Sequence, residues 1–284
     1  MDQKRLVIIG SKGQLGKALS QKYPLARTVD YDDLDISDQN KVSAFDWQNY
    51  KVILNAAAYT NVDGAENEGR SLAWKVNANG PANLARIASK LDITLLHIST
   101  DYVFDGTEKI HSETEPFTPL SVYGASKAAG DIAVSMLENY YILRTSWVIG
   151  EGKNFVRTML DLARKGISPT VVNDQIGRPT FTYELVNTID FLLTKSSPFG
   201  TYNTSNSGSP VSWADLTREI FKLSGHTNLS VTNTSTKAYY ASKPGVAPRP
   251  LNSTLNLNKL NSTGYSPTEW QENLKKYIIK EMDQ

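Results

Sequence analysis

The chain contains no cysteine, and this absence removes several kinds of chemistry at once. Disulfide bonds, thiolate metal sites and a cysteine nucleophile are all excluded. Histidine is scarce as well, with 3 residues in the whole chain, and none has a second histidine at a spacing typical of a metal site. His97 stands inside an apolar run, so we interpret it as a core residue. The sequence therefore gives no sign of a histidine-containing metal cluster.

An excess of charge of one sign is also lacking, since 30 basic and 29 acidic side chains leave a net charge of +1. This balance gives no reason to expect nucleic acid or an anionic membrane as a partner. Long hydrophobic runs are missing too, because the apolar run at residues 6–9 stops at Gly10 and no later run is long enough to span a bilayer. The composition is that of a soluble globular protein, and we expect it in the cytoplasm.

Three regularly spaced glycines stand near the start of the chain. Gly10, Gly13 and Gly16 follow the apolar residues 5–9, which suit a strand buried on both faces of a parallel sheet, and precede residues 17–21, which are typical of a helix. Glycines at such a turn let the backbone approach a pyrophosphate, whose charge is stabilised by the N–H groups of the helix N-terminus. The spacing predicts a dinucleotide-binding turn, and an ordinary tight turn is the alternative.

Acidic residues follow the second predicted strand, residues 26–29. Asp30 stands roughly 20 residues beyond the glycines, a position from which a carboxylate can accept hydrogen bonds from the adenosine ribose. Tyr31 comes next instead of a basic residue, so a 2′-phosphate would meet uncompensated negative charge. We therefore expect NADH to be favoured over NADPH, and a solvated turn residue is the alternative for Asp30. Asp35 and Ile36 offer a further carboxylate and an apolar contact near the expected adenine.

The segment from residue 99 to residue 127 contains hydroxyl groups and an amine at spacings that suit a shared site. Ser99 and Thr100 end the predicted strand at residues 94–98, and Tyr123 and Lys127 stand four residues apart at the start of a predicted helix. Positions i and i+4 share one helix face, so both side chains can point into one cleft. A nearby ammonium lowers the pKa of a tyrosine toward working pH. The pattern predicts a proton-transfer site, and an ordinary pair on a helix surface is the alternative.

Together these motifs resemble the extended short-chain dehydrogenase/reductase family, and within it the branch that reduces dTDP-4-dehydrorhamnose. The segments at residues 10–16, 55–57, 99–106, 123–127, 144–148, 173–180 and 249–255 carry this resemblance. It implies an α/β fold with a Rossmann-type doubly wound parallel sheet and a smaller C-terminal substrate-binding domain. The dinucleotide-binding Rossmann domain would occupy residues 1–147, with about 180–206 returning to it. The substrate-binding domain would consist of residues 148–179 and 207–284.

The resemblance also implies roles for individual residues. Tyr123 would give a proton to the C4 oxygen of a keto sugar, Lys127 would hold the nicotinamide ribose, and Thr100 would orient the carbonyl. The expected cofactor-binding residues are Gly10, Gly13, Gln14, Leu15, Gly16, Asp30, Asp35, Ile36, Ala57, Ala58, Tyr59, Tyr123 and Lys127. The expected substrate-binding residues are Thr100, Asp101, Val103, Phe104, Trp147, Asn154, Arg178 and Arg249. Both arginines are predicted to contact a diphosphate, with a surface-loop charge as the alternative for Arg178.

The expected reaction is reduction of the 4-keto group of a dTDP-sugar by NADH or NADPH to give dTDP-L-rhamnose. Mg²⁺ binding is doubtful, because a hard cation needs several oxygen ligands. The residue beside the glycine turn is the basic Lys12, and Glu184 is the one acidic residue close after residues 179–180. A homodimer is left open. The alternatives are another sugar-nucleotide reductase or epimerase, a 4,6-dehydratase, and a non-catalytic NAD(P)-binding regulatory subunit of the same fold. Tyr102 stands where a dehydratase has its glutamate, and the complete set of Thr100, Tyr123 and Lys127 argues against a non-catalytic subunit.

Overall fold

The computed structural model describes residues 2–282. At its centre is a six-stranded sheet whose strands run in the order β10, β5, β4, β3, β1, β2, and each neighbouring pair is parallel. The strands are β1 (Leu6–Ile9), β2 (Arg27–Val29), β3 (Val52–Asn55), β4 (Thr94–Thr100), β5 (Tyr140–Thr145) and β10 (Gly200–Asn203). Three small two-stranded sheets pair β6 (Val148–Ile149) with β9 (Thr180–Phe181), β7 (Thr170–Val172) with β12 (Thr232–Thr234), and β8 (Ile176–Gly177) with β11 (Val211–Ser212).

Helices cover both faces of the large sheet. The helices are α1 (Gln14–Lys22), α2 (Gln39–Ala44), α3 (Val62–Glu66), α4 (Arg70–Trp74), α5 (Gly80–Leu91), α6 (Val122–Ser135), α7 (Phe155–Arg164), α8 (Thr182–Thr194), α9 (Trp213–Leu223), α10 (Thr236–Tyr240), α11 (Asn258–Ser262) and α12 (Trp270–Met282). Val7 and Ile9 of β1 belong to the core on one face, with residues of α2 and α5, whereas Leu6 and Ile8 belong to the core on the other, with residues of α1 and α8. This confirms the Rossmann-type doubly wound sheet.

Two segments owe their form to local features of the sequence. In the first, a π-helical stretch (Lys75–Asn79) follows α4 and continues directly into α5. Pro81 lies in the first turn of α5, where a missing N–H is tolerated, so it does not end the helical path. In the second, the Ser235 side chain accepts a hydrogen bond from the Ala238 N–H and caps the start of α10.

The C-terminal half contributes to two cores. Strand β10 joins the large sheet beside β5, and α8 packs against the same face as α1. A separate hydrophobic cluster is built by α7, α9 and α12, with Leu160, Ile220 and Leu274 among its fully buried members. Among residues 2–282, no helix is long and apolar enough to cross a membrane.

Candidate active site

A groove runs along the carboxyl ends of the central strands, where parallel α/β sheets bind their ligands. It consists of two adjoining cavities, one of about 520 Å³ and one of about 660 Å³. Lys12, Gly13, Ala56 and Ala58 line both cavities, so the two form one elongated site. An extended ligand with two bulky ends fits such a shape.

The glycine turn forms the floor of this groove. Gly10 has a φ of +80°, and a Cβ atom there would lie 2.7 Å from the Ala57 nitrogen. A Cβ at Gly16 would lie 2.0 Å from the Gly10 carbonyl oxygen, so the first turn of α1 packs directly on the turn. Gly13, Gln14 and Leu15, at the N-terminus of α1, line the larger cavity. This cradle of backbone and small residues fits the pyrophosphate of a dinucleotide.

The smaller cavity carries Asp30, Asp35 and Ile36, which are predicted for the adenosine end, and three further residues predicted to bind the cofactor. Its lining includes Asp30, Asp35, Ile36, Ala57, Ala58 and Tyr59. The Asp30 carboxylate accepts hydrogen bonds from the backbone N–H groups of Lys12 and Tyr31, both at 2.8 Å, and so joins the glycine turn to the end of β2. Lys12 is the only basic side chain that the described part of the chain places on this cavity, and its Nζ lies 2.8 Å from the Asp32 carboxylate.

The larger cavity gathers the three predicted catalytic side chains. Thr100 is the last residue of β4, and Tyr123 and Lys127 lie on the first turns of α6. The Ser121 hydroxyl accepts a hydrogen bond from the Gly124 N–H and fixes the start of this helix. The Thr100 hydroxyl donates to the Asp101 carboxylate at 3.0 Å. The structure thus brings a hydroxyl, a phenol and an amine to one end of the groove.

The charge states of this trio follow from burial. Burial raises the pKa of the Tyr123 phenol, Asp101 and Asp131 act in the same direction, and Thr100 acts in the opposite direction. Burial lowers the pKa of Lys127 to about 8, and Asp131 offsets part of this effect. Lys127 is not among the groups that shift the pKa of Tyr123, so the expected lowering by its ammonium is not found. The phenol is protonated at neutral pH, as a proton donor must be.

Aromatic and acidic side chains form the far wall of the larger cavity. Trp147 stacks on Trp213 with a ring distance of 3.6 Å and an interplanar angle of 15°, and both line the cavity. Tyr102 meets the Tyr123 ring edge-on at 5.6 Å. The sequence analysis did not assign Trp213 or Tyr102 to the site. Trp213 begins α9, and only the fold brings it next to Trp147. The Asp101 side chain is buried, and its Oδ2 atom has no hydrogen-bond partner within residues 2–282.

Three of the predicted substrate residues take structural positions instead. Val103 and Phe104 are fully buried and pack with Ala128 in a small core cluster. The Asn154 side chain accepts a hydrogen bond from the Arg157 N–H and caps the start of α7. None of these residues lines the groove in the described chain.

The two predicted diphosphate ligands also lie outside the lining of the groove. Arg178 is buried and donates a hydrogen bond to the Leu255 carbonyl oxygen at 3.1 Å. Arg249 forms an ion pair with Asp63 at 2.9 Å and lies over the Tyr240 ring at 4.9 Å. Both guanidinium groups are already held by protein partners that the sequence pattern did not indicate.

Glu184 is buried on α8 and accepts a hydrogen bond from the Tyr265 hydroxyl at 2.6 Å. The side-chain amides of Asn206 and Asn273 donate to its other oxygen at 3.4 and 3.3 Å. Its carboxylate is thus used to connect α8 with the C-terminal segment. Within residues 2–282, no group of three or more acidic or histidine side chains is arranged to hold a metal ion.

Comparison with known proteins gives consistent matches over almost the whole chain. Residues 4–283 match the family model described as the RmlD substrate binding domain. A dTDP-4-dehydrorhamnose reductase from Aggregatibacter actinomycetemcomitans is 39% identical, with 95% of this chain and 97% of the relative covered. A dTDP-4-keto-6-deoxy-D-glucose reductase from Streptomyces niveus is 36% identical, with 78% of this chain and 79% of the relative covered.

A solved structure agrees with the fold. The crystal structure of a dTDP-4-dehydrorhamnose reductase from Bacillus anthracis in complex with NADP matches with a TM-score of 0.89. The two chains are 35% identical, and the match covers 97% of this chain and 99% of the other. This chain has the parallel sheet, the glycine turn and the cluster of Thr100, Tyr123 and Lys127. Together with its similarity to these dTDP-4-dehydrorhamnose reductases, the match shows that the chain belongs to the RmlD substrate binding domain family.

Proposed function

We propose that the chain reduces the C4 ketone of dTDP-4-dehydrorhamnose to give dTDP-L-rhamnose, with NAD(P)H as reductant and Tyr123 as proton donor. This proposal depends on one observation: Thr100, Tyr123 and Lys127 all line the larger cavity of the groove, which also contains residues of the glycine turn. The substrate is that of the relatives with which this chain shares more than a third of its sequence. The family also contains reductases for other dTDP-keto sugars, which are the second candidate.

The residues of the groove would hold the dinucleotide from end to end. Gly13, Gln14 and Leu15 would bind its pyrophosphate at the N-terminus of α1, where partial positive charge is available. When bound, the dihydronicotinamide supplies the hydride that reduces C4. Lys127 keeps ammonium hydrogens free for a ribose hydroxyl, because the Ile98 carbonyl oxygen accepts only one of them.

Tyr123 supplies the proton that the reduced ketone oxygen requires. Its pKa is raised by burial, so the phenol remains protonated until negative charge develops on the substrate oxygen. The Thr100 hydroxyl donates to Asp101 in this structure and would turn its hydrogen toward that oxygen to orient it. Exclusion of water by Tyr102 and Trp147 would strengthen both hydrogen bonds, because the local dielectric is low.

Asp101 is proposed to bind a hydroxyl group of the sugar with its Oδ2 atom, which makes no hydrogen bond of good geometry in the described chain although the Ser253 hydroxyl helps to lower the pKa of this carboxyl group. An ionised carboxylate accepts stronger hydrogen bonds than a protonated carboxyl group, and burial raises the pKa of Asp101 to about 6. Activity should therefore fall as the pH drops through about 6, because protonation weakens the acceptor and turns one of its oxygens into a donor.

The substitution Asp101→Asn tests this role. We expect kcat/KM to fall roughly tenfold to a hundredfold at pH 7.5, the scale of a hydrogen bond to a charged group, and the acidic limb of the pH profile to disappear. Asp161→Asn, which removes an exposed carboxylate on α7, serves as the control and should leave the profile unchanged. An acidic limb that persists in Asp101→Asn would rule out Asp101 as its source.

We further propose that the chain uses NADH in preference to NADPH. The cavity predicted for the adenosine end presents the carboxylates of Asp30 and Asp35, and its single basic residue, Lys12, is paired with Asp32 in the described chain. Tyr31 on the same cavity is 64% exposed, so a basic residue there can be introduced without loss of packing. The variant Tyr31→Arg should therefore improve kcat/KM for NADPH and leave that for NADH within about twofold.

One assay separates these possibilities. Oxidation of NADH and of NADPH is followed at 340 nm with dTDP-4-dehydrorhamnose and, in parallel, with dTDP-4-keto-6-deoxy-D-glucose. We expect stoichiometric oxidation with the first sugar and a kcat/KM for NADH roughly tenfold above that for NADPH, the effect of about 1.4 kcal/mol from one unfavourable charge contact. An epimerase would convert the sugar without net oxidation, and a regulatory subunit would do neither.

The proposal also includes a substrate-binding domain that is separate from the dinucleotide-binding domain. Residues 148–179 and 207–284 would form the substrate-binding domain, of which 283 and 284 lie outside the described residues. The separate hydrophobic cluster of α7, α9 and α12 supports such a unit, and Trp213 of this unit lines the larger cavity. That Mg²⁺ binding is doubtful stays a prediction, and a homodimer stays open.

A further inference from the structure

The basic side chains that line the groove are all lysines. They are Lys12, Lys17, Lys127 and Lys153. The amines of the first three meet protein acceptors, which are the carboxylates of Asp32 and Glu151 and the Ile98 carbonyl oxygen, at 2.8, 3.1 and 2.6 Å. Lys153 is exposed, and its amine forms neither a hydrogen bond nor an ion pair within residues 2–282. A cation in this position is available to an anionic ligand.

The backbone that carries Lys153 is held in place from both sides. The Gly150 N–H donates to the Gln14 side chain at 2.8 Å, at the N-terminus of α1 where the dinucleotide pyrophosphate is proposed to bind. The Asn154 side-chain amide donates to the carbonyl oxygens of Gly150 and Gly152 at 2.8 and 3.1 Å, which closes the loop before α7 begins. Lys153 therefore combines a fixed backbone with a free side chain.

Lys153 lies close in the chain to the aromatic wall of the larger cavity. Phe155, two residues further on, packs against Trp213 with a ring distance of 4.3 Å. Trp213 and Trp147 line this cavity together with Tyr123. A flat nucleobase stacks favourably on such rings. When the ketone of the substrate meets Tyr123 and its base meets the aromatic wall, the diphosphate lies between them, and Lys153 is free to bind it.

The carboxylates on the larger cavity do not compensate the charge of Lys153. They belong to Asp101 and Glu151. Asp101 is buried at the end of β4 beside Thr100, whose hydroxyl donates to it. Glu151 is a neighbour of Lys153 in the loop, but its carboxylate is paired with Lys17. Lys153 is therefore left as the uncompensated cation of this cavity in the described chain.

We propose that Lys153 binds the diphosphate of the dTDP-sugar. The inference rests on the proposed function for the identity of the substrate, but binding can be measured without turnover. Lys153 takes the place of Arg178 and Arg249, which were predicted for this contact and are held by protein partners. Lysine binds phosphate as a point charge on a flexible stem, which suits a free side chain at an open cavity. Because the diphosphate is remote from C4, its charge is the same before and after reduction, and Lys153 contributes to binding only.

The first test measures the binding of dTDP and of thymidine by isothermal titration calorimetry, with the whole chain saturated with NADH. In Lys153→Met, which removes the charge and keeps most of the length, we expect the Kd of dTDP to rise roughly tenfold, the loss of one hydrogen bond to a charged group. The Kd of thymidine, which has no phosphate, should change by less than about twofold. Lys153→Arg keeps the charge and should bind dTDP within about threefold of the wild type.

A matched control is available at the other end of the same helix. Lys165 is exposed and follows the last residue of α7, so Lys165→Met removes an equal charge away from the cavity. This variant should bind dTDP as the wild type does. Because Lys153 is also exposed and has no side-chain partner within residues 2–282, its variants should have the melting temperature of the wild type.

The second test separates binding from chemistry. In Lys153→Met we expect the KM of dTDP-4-dehydrorhamnose to rise about tenfold with kcat within about twofold, as for an interaction made equally in the ground state and the transition state. The KM of NADH should stay within about twofold, because the pyrophosphate of the dinucleotide is bound at the glycine turn.

The outcomes distinguish this inference from the proposed function. An unchanged Kd of dTDP in Lys153→Met, an equal loss for dTDP and thymidine, or a wild-type chain that does not bind dTDP would overturn the inference. Weaker binding of NADH in place of dTDP would assign Lys153 to the dinucleotide and overturn it as well. An inactive wild-type chain whose binding of dTDP depends on Lys153 would refute the proposed reduction and leave the diphosphate site in place.

Discussion

Replacing Tyr123 with phenylalanine is expected to reduce kcat by at least about two orders of magnitude, the scale of general acid catalysis. The variant removes the phenolic hydroxyl and keeps the ring, so the edge-on contact with Tyr102 at 5.6 Å is retained. Folding and binding of NADH should therefore be unaffected, because the hydroxyl belongs to neither the core nor the glycine turn. The loss should appear in kcat with little change in the Kd of NADH.

The measurement is steady-state oxidation of NADH together with a fluorescence titration of cofactor binding. Tyr140→Phe, which removes a hydroxyl at the opposite end of β5 from the cavity, provides the matched control and should retain wild-type activity. A Tyr123→Phe enzyme with more than a tenth of the wild-type kcat would remove the phenol from the mechanism.

Replacing Arg144 with methionine is expected to lower the free energy of unfolding by about 3 to 5 kcal/mol, because it leaves a buried carboxylate without its partner. The guanidinium lies 3.0 Å from Asp131, and the exposed fractions of the two side chains are 5% and 1%. Arg144 also donates to the Glu113 carbonyl oxygen and lies over the Phe117 ring at 4.8 Å. A methionine fills part of the space but replaces none of these polar contacts.

Urea unfolding of the cofactor-free chain measures this effect. Arg218→Met breaks an ion pair of similar length with Asp215 on the exposed surface of α9, and this control should lose no more than about 1 kcal/mol. The double variant Asp131→Asn with Arg144→Met should recover much of the loss, since no unpaired charge remains. A loss below about 1 kcal/mol in Arg144→Met would show that the pair is not needed for stability.

Local patterns predicted the parts of the site that depend on short stretches of chain. The run before Gly10 specified a buried strand, and the glycine spacing specified the turn that follows, because both are set by backbone geometry within a few residues. The spacing of Tyr123 and Lys127 placed them on one helix, and the end of β4 brought Thr100 beside them. Thr100, Tyr123 and Lys127 do line one cavity, as this pattern predicted, and their catalytic roles stay a prediction.

Features that depend on distant partners could not be predicted in this way. Arg249 meets Asp63, and Trp147 meets Trp213, across separations that no local pattern encodes. The charge states of the site were equally hidden, because burial, and not the nearest charge, dominates the pKa of Tyr123. Val103 and Phe104 show the reverse error, since a motif shared with a family does not tell which of its residues face a ligand and which fill the core.

The most direct test of the central claim follows a deuterium label. The enzyme is incubated with dTDP-4-dehydrorhamnose and NADH carrying deuterium at both positions of the dihydronicotinamide C4, and the sugar product is analysed by ¹H NMR. We predict dTDP-L-rhamnose with one deuterium at C4 of the sugar and one NADH consumed for each molecule formed. Product that lacks deuterium at C4, or sugar conversion without net consumption of NADH, would contradict a direct hydride transfer in this cavity.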